Sequence, residues 1–367
     1  MNEKSPMLLL GIGGAGSAVA RGVNRAFGEG LRFATADTDA STGQDDIPFY
    51  LLGGDRLSGR GAGGDIVTAR LATEDSIAVI DESLEGVRLA VIVTCLGGGT
   101  GCGATLETVR HLKTRGIPSV VFATTPFTFE GETRQQNARG VMSLIEEEAS
   151  ATFFIPLDKL VADADVMEDA MRRAVDTLAS GVTLFWRLVE KPGYIKLDTE
   201  RIRHLVSRAG RARFATVTVQ GPNRAPDAVD ALTRAPLLAE GSGEVRAILC
   251  GVLAGEDLRL SEIGKIADGI RTAFGDQCVF DLATVNDEQT FSGRLSVVVM
   301  LFEATGKDES SGKTGSAITP KKQRKARNPL AQGPQGRGRF NNSEPTVWNG
   351  EDLDVPTFIR RNINLDF

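Results

Sequence analysis

The sequence predicts an α/β fold, with a doubly wound parallel sheet, a long central helix, a second α/β domain and an unstructured C-terminal tail. Three features of the chain carry that prediction. The apolar, β-branched run at 89–95 has the length of a strand buried on both faces, and it leads directly into Gly97-Gly98-Gly99-Thr100-Gly101-Cys102-Gly103. Met7-Leu8-Leu9-Leu10 leads in the same way into Gly11-Ile12-Gly13-Gly14-Ala15-Gly16-Ser17. Strand-like and helix-like stretches alternate up to residue 155, the pattern of a Rossmann-like sheet with helices on both faces.

Taken in order, strands are expected at 7–12, 33–36, 89–95, 117–124 and 151–155, and helices at 18–27, 65–84, 103–114 and 134–148. Residues 165–189 read as one long helix, with Met167, Met171, Ala174, Leu178, Val182, Phe185 and Leu188 near helical spacing. Such a stripe is core, and both faces of this helix are expected to be covered. Strands at 212–219, 245–252, 278–284 and 294–302 make the sheet of the second domain.

The glycine clusters suit an anion. Without Cβ atoms, consecutive backbone N–H groups can converge on a phosphate, and a helix starting near Cys102 adds the positive end of its dipole. Five glycines in seven residues would otherwise make a needlessly mobile turn. No Gly-Lys-Ser/Thr follows either cluster, which excludes a Walker loop. Asp37-Thr38-Asp39 lies where a dinucleotide fold keeps its ribose acid, so an NAD oxidoreductase passes that test. It leaves unused both the second cluster and a third, Gly59-Arg60-Gly61-Ala62-Gly63-Gly64-Asp65.

Together these residues resemble the tubulin/FtsZ family. Its GGGTGxG signature stands at 97–103 with Cys102 in the variable place, and its GxGGAG loop at 11–16. Further matches are Asp37-Thr38-Asp39-Ala40, Gly61-Ala62-Gly63-Gly64, Pro126-Phe127-Thr128-Phe129-Glu130-Gly131-Glu132-Thr133-Arg134, Ile155-Pro156-Leu157-Asp158 and Lys191-Pro192-Gly193-Tyr194-Ile195. Asn223-Arg224-Ala225 and Ala235-Pro236-Leu237-Leu238 extend the resemblance, which covers residues 7–303.

The resemblance implies GTP, with magnesium, on these loops. Gly13, Gly14, Ala15, Gly16 and Ser17, with Gly98, Gly99, Thr100 and Gly101, would hold phosphates through backbone donors. Glu130 and Arg134 would face the ribose and phosphates, and Val175 stands where the guanine contact is implied. The implied division is a nucleotide-binding domain at 1–164, a central helix at 165–191, a second domain at 192–303, a disordered linker at 304–350 and a partner-binding peptide at 351–367. Also implied are head-to-tail filaments that form the cytokinetic ring of dividing bacteria. In them the loop after the central helix, with Asp198 and Glu200 as its acids, polarises water at the γ-phosphate of the next copy. The implied partners are further copies of the chain and membrane-tethering or regulatory division proteins docking on residues 352–361.

The chain departs from that pattern in two places. A loop that reads Asn-x-Asp-x-x-Asp in the family reads Lys196-Leu197-Asp198-Thr199-Glu200-Arg201 here, keeping only the middle acid. An arginine can stabilise developing charge but cannot accept a proton from water, so slow hydrolysis is expected. In the base pocket, Val175 replaces an acid or amide, Met171 a stacking Phe, and Leu157 and Ser17 two asparagines. A pocket without its polar partner discriminates guanine poorly. Two readings stay open at this level: a polymerising GTPase of the division ring, and a nucleotide-binding filament or accessory protein with little turnover.

Composition agrees with an intracellular α/β protein. Among 367 residues no stretch of 18 apolar ones and no secretory signal occurs, so a cytoplasmic protein at the division site is expected. Cys95, Cys102, Cys250 and Cys278 have no CxxC spacing, and with only His111 and His204 beside them they read as reduced thiols without zinc. Residues 304–350 carry nine Lys or Arg against three acids, and 351–367 carry four acids against two Arg, which leaves −10 of the overall −6 on residues 1–303. The basic segment is too poor in apolar residues to fold and reads as a tether. Its run Lys321-Lys322-Gln323-Arg324-Lys325-Ala326-Arg327 has no interleaved aromatics, so nucleic acid is not expected. Leu353, Val355, Phe358 and Ile359 after it are costly to leave in water and suit docking on a partner.

Overall fold

The structure is a computed structural model describing residues 5–27, 32–44, 46–161, 166–190, 193–206, 210–239, 243–275, 277–303, 347–348 and 351–352. The first half runs β1 (Met7–Ile12), α1 (Gly13–Phe27), β2 (Arg32–Asp37), β3 (Phe49–Leu51), α2 (Gly54–Leu57), α3 (Ile66–Ser76), α4 (Asp81–Leu84), β4 (Leu89–Cys95), α5 (Gly99–Thr114), β5 (Ser119–Thr125), α6 (Glu132–Glu148) and β6 (Ala151–Pro156). The long α7 (Met167–Glu190) follows, then α8 (Thr199–Val206), β7 (Gly210–Gln220), α9 (Arg224–Thr233), α10 (Pro236–Ala239), β8 (Val245–Ala254), α11 (Leu260–Phe274), β9 (Val279–Asn286), α12 (Glu288–Phe291) and β10 (Arg294–Glu303).

One sheet runs through all of it, in the order β3-β2-β1-β4-β5-β6-β7-β10-β8-β9. β3 to β7 are parallel, β10 is antiparallel to both β7 and β8, and β9 returns parallel to β8. The described residues up to Glu303 cluster as a single compact unit, so the divisions at 164 and 191 do not interrupt the sheet. A separate unit holds β11 (Val347–Trp348), paired antiparallel with β12 (Glu351–Asp352). Apart from these four residues, the tether at 304–350 and the peptide at 351–367 lie outside the described residues.

Strand alternation sorts the core. Met7 and Leu9 face one apolar cluster while Leu8 and Leu10 face another, the division expected when both faces of a sheet are covered. α7 lies on the first face. Ala174, Leu178, Val182, Phe185 and Leu188 are buried as the helical spacing requires, and every residue from Gly181 to Leu188 is buried, so this end of the helix is enclosed all round. A Cβ at Gly181 would lie 2.4 Å from the Phe214 ring, which shows how closely the helix approaches β7. Under it, Phe122, Phe153, Phe214 and Phe302 join four strands through ring contacts with centroids 4.6 to 6.1 Å apart. These contacts weld the two halves of the sheet.

The helices after the glycine clusters begin earlier than propensity suggests, α1 at Gly13 rather than 18 and α5 at Gly99 rather than 103. The glycines are the first helical turns, pressed onto strands. A Cβ on Gly16 would lie 2.3 Å from the Val93 carbonyl oxygen, and one on Gly101 would lie 2.0 Å from that of Cys95. The helical stretch expected at 65–84 is broken by a tighter turn at Ile77–Ile80. β3, only three residues long, leaves no periodic trace in the sequence.

Candidate functional site

A cleft opens at the carboxyl ends of the parallel strands, where β1 has β2 on one side and β4 on the other. Connections part at such a switch point and leave a crevice. Ile12, Gly13, Gly14 and Ala15 line it from the first junction, and Cys95, Leu96, Gly98, Gly99, Thr100 and Gly101 from the second. Thr124 at the end of β5 and Pro126, Glu130 and Arg134 after it line the next side, and Leu157 and Gly64 complete a cleft of about 360 Å³, within the range of small-molecule sites.

The backbone makes this cleft an anion site. No side chain caps α5, and its first ladder bond runs from Cys102 N–H to Gly98 oxygen at 3.2 Å. The N–H groups of Gly99, Thr100 and Gly101 are therefore left by the helix for a ligand, at the positive end of its dipole. Nothing lies within 4 Å of a Cβ built on Gly98, so the cradle is open there, and Gly13 needs its φ of +75° to turn from β1 into α1.

Partners distant in sequence hold the cradle. Thr94 Oγ1 donates toward the carbonyls of Ile12 at 3.3 Å and Gly101 at 3.2 Å, tying both junctions together. Asn137 of α6 donates its amide to Gly97 oxygen at 3.0 Å and Gly64 oxygen at 3.4 Å. The hydroxyls of Thr38 and Thr100 meet at 2.6 Å. Buried Arg21 donates from Nε to Asp46 at 3.2 Å and from Nη2 to Thr42 oxygen at 2.5 Å, fixing the loop after β2. In that loop the buried Asp37 carboxylate accepts the N–H groups of Thr38 at 2.7 Å and Asp39 at 3.3 Å. Burial nevertheless holds its carboxyl above the usual carboxylate range. Cys102 accepts Gly97 N–H on Sγ at 3.1 Å, and burial pushes its thiol up to about 11, an unreactive structural cysteine.

Of the residues expected from sequence, the cleft gathers Gly13, Gly14, Ala15, Gly98, Gly99, Thr100, Gly101, Glu130 and Arg134. Gly16 and Ser17 lie behind the lining, with Ser17 Oγ turned to the Gly11 carbonyl at 3.5 Å. Val175 is 36% exposed and off the lining, whereas its neighbour Ala174 packs with Phe127 and Leu157 at the wall. Glu130 accepts Phe127 N–H at 2.9 Å and pairs with Arg134 at 2.7 Å, so the one arginine in the lining among the described residues is already engaged. Arg21 and Asn137 carry no local signature that would have announced them, while Thr38 stands inside the Asp37-Thr38-Asp39-Ala40 match without a role read from it.

Asp198 and Glu200 stand elsewhere. Ala174 of α7 packs at the cleft wall, and the helix runs on to Glu190 before the loop 193–198, so roughly 24 Å of helix separates the wall from the loop end. That loop is stapled to β9: Gly193 N–H donates to Thr284 oxygen at 2.6 Å, Thr284 N–H to Ile195 oxygen at 2.9 Å, and Ile195 N–H to Thr284 Oγ1 at 2.9 Å. Asp198 accepts Glu200 N–H at 3.1 Å, Glu200 pairs with Arg203 at 3.0 Å, and Arg201 is held by Asp281 at 3.0 Å.

Comparison with known proteins agrees with this geometry. Residues 6–165 match the GTPase domain of the Tubulin/FtsZ family. The chain is 32% identical to the cell division protein FtsZ of Pseudomonas putida over 77% of its own length and 73% of that protein. Against FtsZ of Azotobacter vinelandii identity is 29%, over 98% of this chain and 97% of the other. The fold is similar to the empty FtsZ dimer of M. jannaschii, with TM-score 0.77, 23% identity, and 88% and 96% of the two chains covered. It is also similar to a GTPγS-bound protofilament of CetZ2 from Haloferax volcanii, with TM-score 0.69, 21% identity, and 84% and 95% covered. An uncapped glycine cradle at the switch point, with long-helix architecture to match, defines a GTPase of the tubulin class. The chain belongs to the tubulin/FtsZ family, among the cell-division FtsZ proteins.

Proposed function

We infer that the protein binds GTP in the switch-point cleft, polymerises head to tail, and hydrolyses GTP where two copies meet, as a filament-forming protein of cell division. The observation that carries this reading is the separation of its two working parts. A cleft built for phosphates lies a helix length from the exposed acid of the loop 193–198, so one copy's Asp198 can serve only another copy's cleft. A heterologous contact of this kind repeats into a filament.

In this reading the N–H groups of Gly13, Gly14, Ala15, Gly98, Gly99, Thr100 and Gly101 hold the phosphates, while Gly16 and Ser17 keep α1 seated on its strand. Arg134 leaves Glu130 to take a phosphate oxygen, and Asp198 of the next copy, with Glu200 beside it, orients the attacking water. Among the described residues no cluster of three or more His, Cys, Asp or Glu is placed to hold a metal. Magnesium therefore fits as an ion carried by phosphate oxygens and water, with the Thr100 and Thr124 hydroxyls and the Glu130 carboxylate as hard oxygens in the lining. Bound there, it would neutralise phosphate charge.

The domain roles follow the same division: residues 1–164 bind nucleotide, the helix at 165–191 links the ends, and 192–303 present the loop. Residues 351–367 dock division partners that tether or regulate the filament at the cytoplasmic face of the division site. Among the described residues no helix is long and apolar enough to cross a membrane. Sedimentation with and without GTP tests the reading: GTP-dependent pelleting is expected, and a chain that binds no GTP and stays in the supernatant would contradict it.

A further inference from the structure

We propose that Arg201, seated by Asp281, is the catalytic cation that each copy presents to the γ-phosphate held in the cleft of the next; this rests on the head-to-tail reading above.

The cleft is short of positive charge. Among the described residues its lining contains a single cation, Arg134, which pairs with Glu130 at 2.7 Å, and the rest of the cradle is neutral N–H groups. Even with Arg134 released to a phosphate oxygen and magnesium bound, the charge that grows on the bridging and γ oxygens during hydrolysis is left to be met from outside the subunit. The loop end offers it. Arg201 contacts Asp281 through Nε alone, at 3.0 and 3.1 Å from the two carboxylate oxygens, and its Nη1 and Nη2 donors have no partner among the described residues. The arginine side chain is 44% exposed and the aspartate 15%, so the anchor is sheltered while the arginine is open to solvent. Asp281 lies on β9, the strand that staples the loop through Thr284. A fork fixed at one nitrogen to a rigid strand loses little freedom when its other end meets phosphate.

The other charges nearby have different duties. Glu200 is engaged by Arg203 at 3.0 and 3.1 Å, and Asp198 accepts the Glu200 N–H at 3.1 Å, leaving its carboxylate exposed to orient water. In the step, the water oxygen forms a bond to the γ-phosphorus and the bond from that phosphorus to the bridging oxygen breaks, its electron pair staying on the β-phosphate of GDP. One water proton passes to Asp198 and on to solvent, and inorganic phosphate leaves. Arg201 stabilises the charge that grows on the bridging and γ oxygens. Asp281 acts as a positioning residue.

Phosphate release and filament mass measured in the same tube test this. Arg201→Ala is expected to lower release per pelleted subunit by about 10³-fold, the scale of an arginine finger, with GTP affinity and filament mass within about twofold of wild type. Arg201→Lys, which keeps the charge but lacks the planar fork that reaches phosphate from a nitrogen fixed on Asp281, should recover little of it. Asp281→Asn should lower release about tenfold and Asp281→Glu restore most of it, a rescue that a merely structural pair would not give. Arg201→Asp, which installs the carboxylate the family pattern implies, decides between chemistries. It should be as slow as Arg201→Ala, and faster hydrolysis than wild type would overturn the proposal. Wild-type turnover by Arg201→Ala filaments, or filament mass and release falling in proportion, would also overturn it. A wild-type chain that neither binds GTP nor pellets would instead defeat the head-to-tail reading.

Discussion

The two ends of α7 follow different rules. At the cleft end the proposed functional groups are backbone, and the sequence shows them as glycines whose absent side chains are dictated by strands 2.0 to 2.3 Å from where a Cβ would sit. At the loop end the proposed functional groups are side chains, and their family pattern has been rewritten: an arginine stands in the place of an acid, with Asp281 on β9 to hold it. Backbone chemistry survives only if the geometry is kept. Side-chain chemistry can be exchanged one residue at a time, provided a partner elsewhere changes the electrostatics with it.

Breaking the cleft end should have the largest effect. Gly101→Val drives a side chain into the Cys95 carbonyl and should destabilise the fold by more than about 4 kcal/mol, with loss of nucleotide binding. Gly98→Ala, with nothing within 4 Å of the new atom, should leave stability within about 0.5 kcal/mol and weaken nucleotide binding alone. Chemical denaturation paired with nucleotide titration separates the two. At the loop end, Asp198→Asn keeps the shape and should lower phosphate release by about 10²- to 10⁴-fold while GTP binding persists.

A smaller effect sharpens the contrast at the base pocket. Val175→Asp should raise the preference for GTP over ATP about tenfold if the α7 surface beside Leu157 meets the base, read from competing titrations. An unchanged ratio would remove Val175 from the site. Smallest is a pH effect beneath the cradle. Burial holds the Asp37 carboxyl above the usual carboxylate range, so the folded chain keeps that proton to higher pH than the unfolded chain does. Its ionisation therefore costs stability as pH rises past the unfolded value. Asp37→Asn should raise Tm at pH 7, with the gain closing as the pH falls to about 4.

Much of the fold was legible because periodicity is local. The strands at 89–95 and 7–12 and the stripe from Ala174 to Leu188 stand where spacing put them. Helix starts were misjudged because glycine's low propensity reads as a turn, although here glycines form the first turn against a strand. Cleft residues with a motif were legible too. Asn137 and Arg21 were not, nor was the pairing of the motif residue Thr38 with Thr100, since each acts through a partner brought near only by the fold, 40, 25 and 62 residues away. The Arg201–Asp281 pair spans 80 residues and was invisible for the same reason. The sequence assigned Ser17 and Val175 to nucleotide contact, and the fold sets both outside the cleft lining.

The central claim is that a cleft hydrolyses GTP only when another copy completes it. Phosphate release per subunit, measured across protein concentration at saturating GTP, tests this most directly. The rate per subunit should be near zero at high dilution and climb once filaments form. A rate per subunit that stays constant from dilute to concentrated protein would show that each cleft works alone.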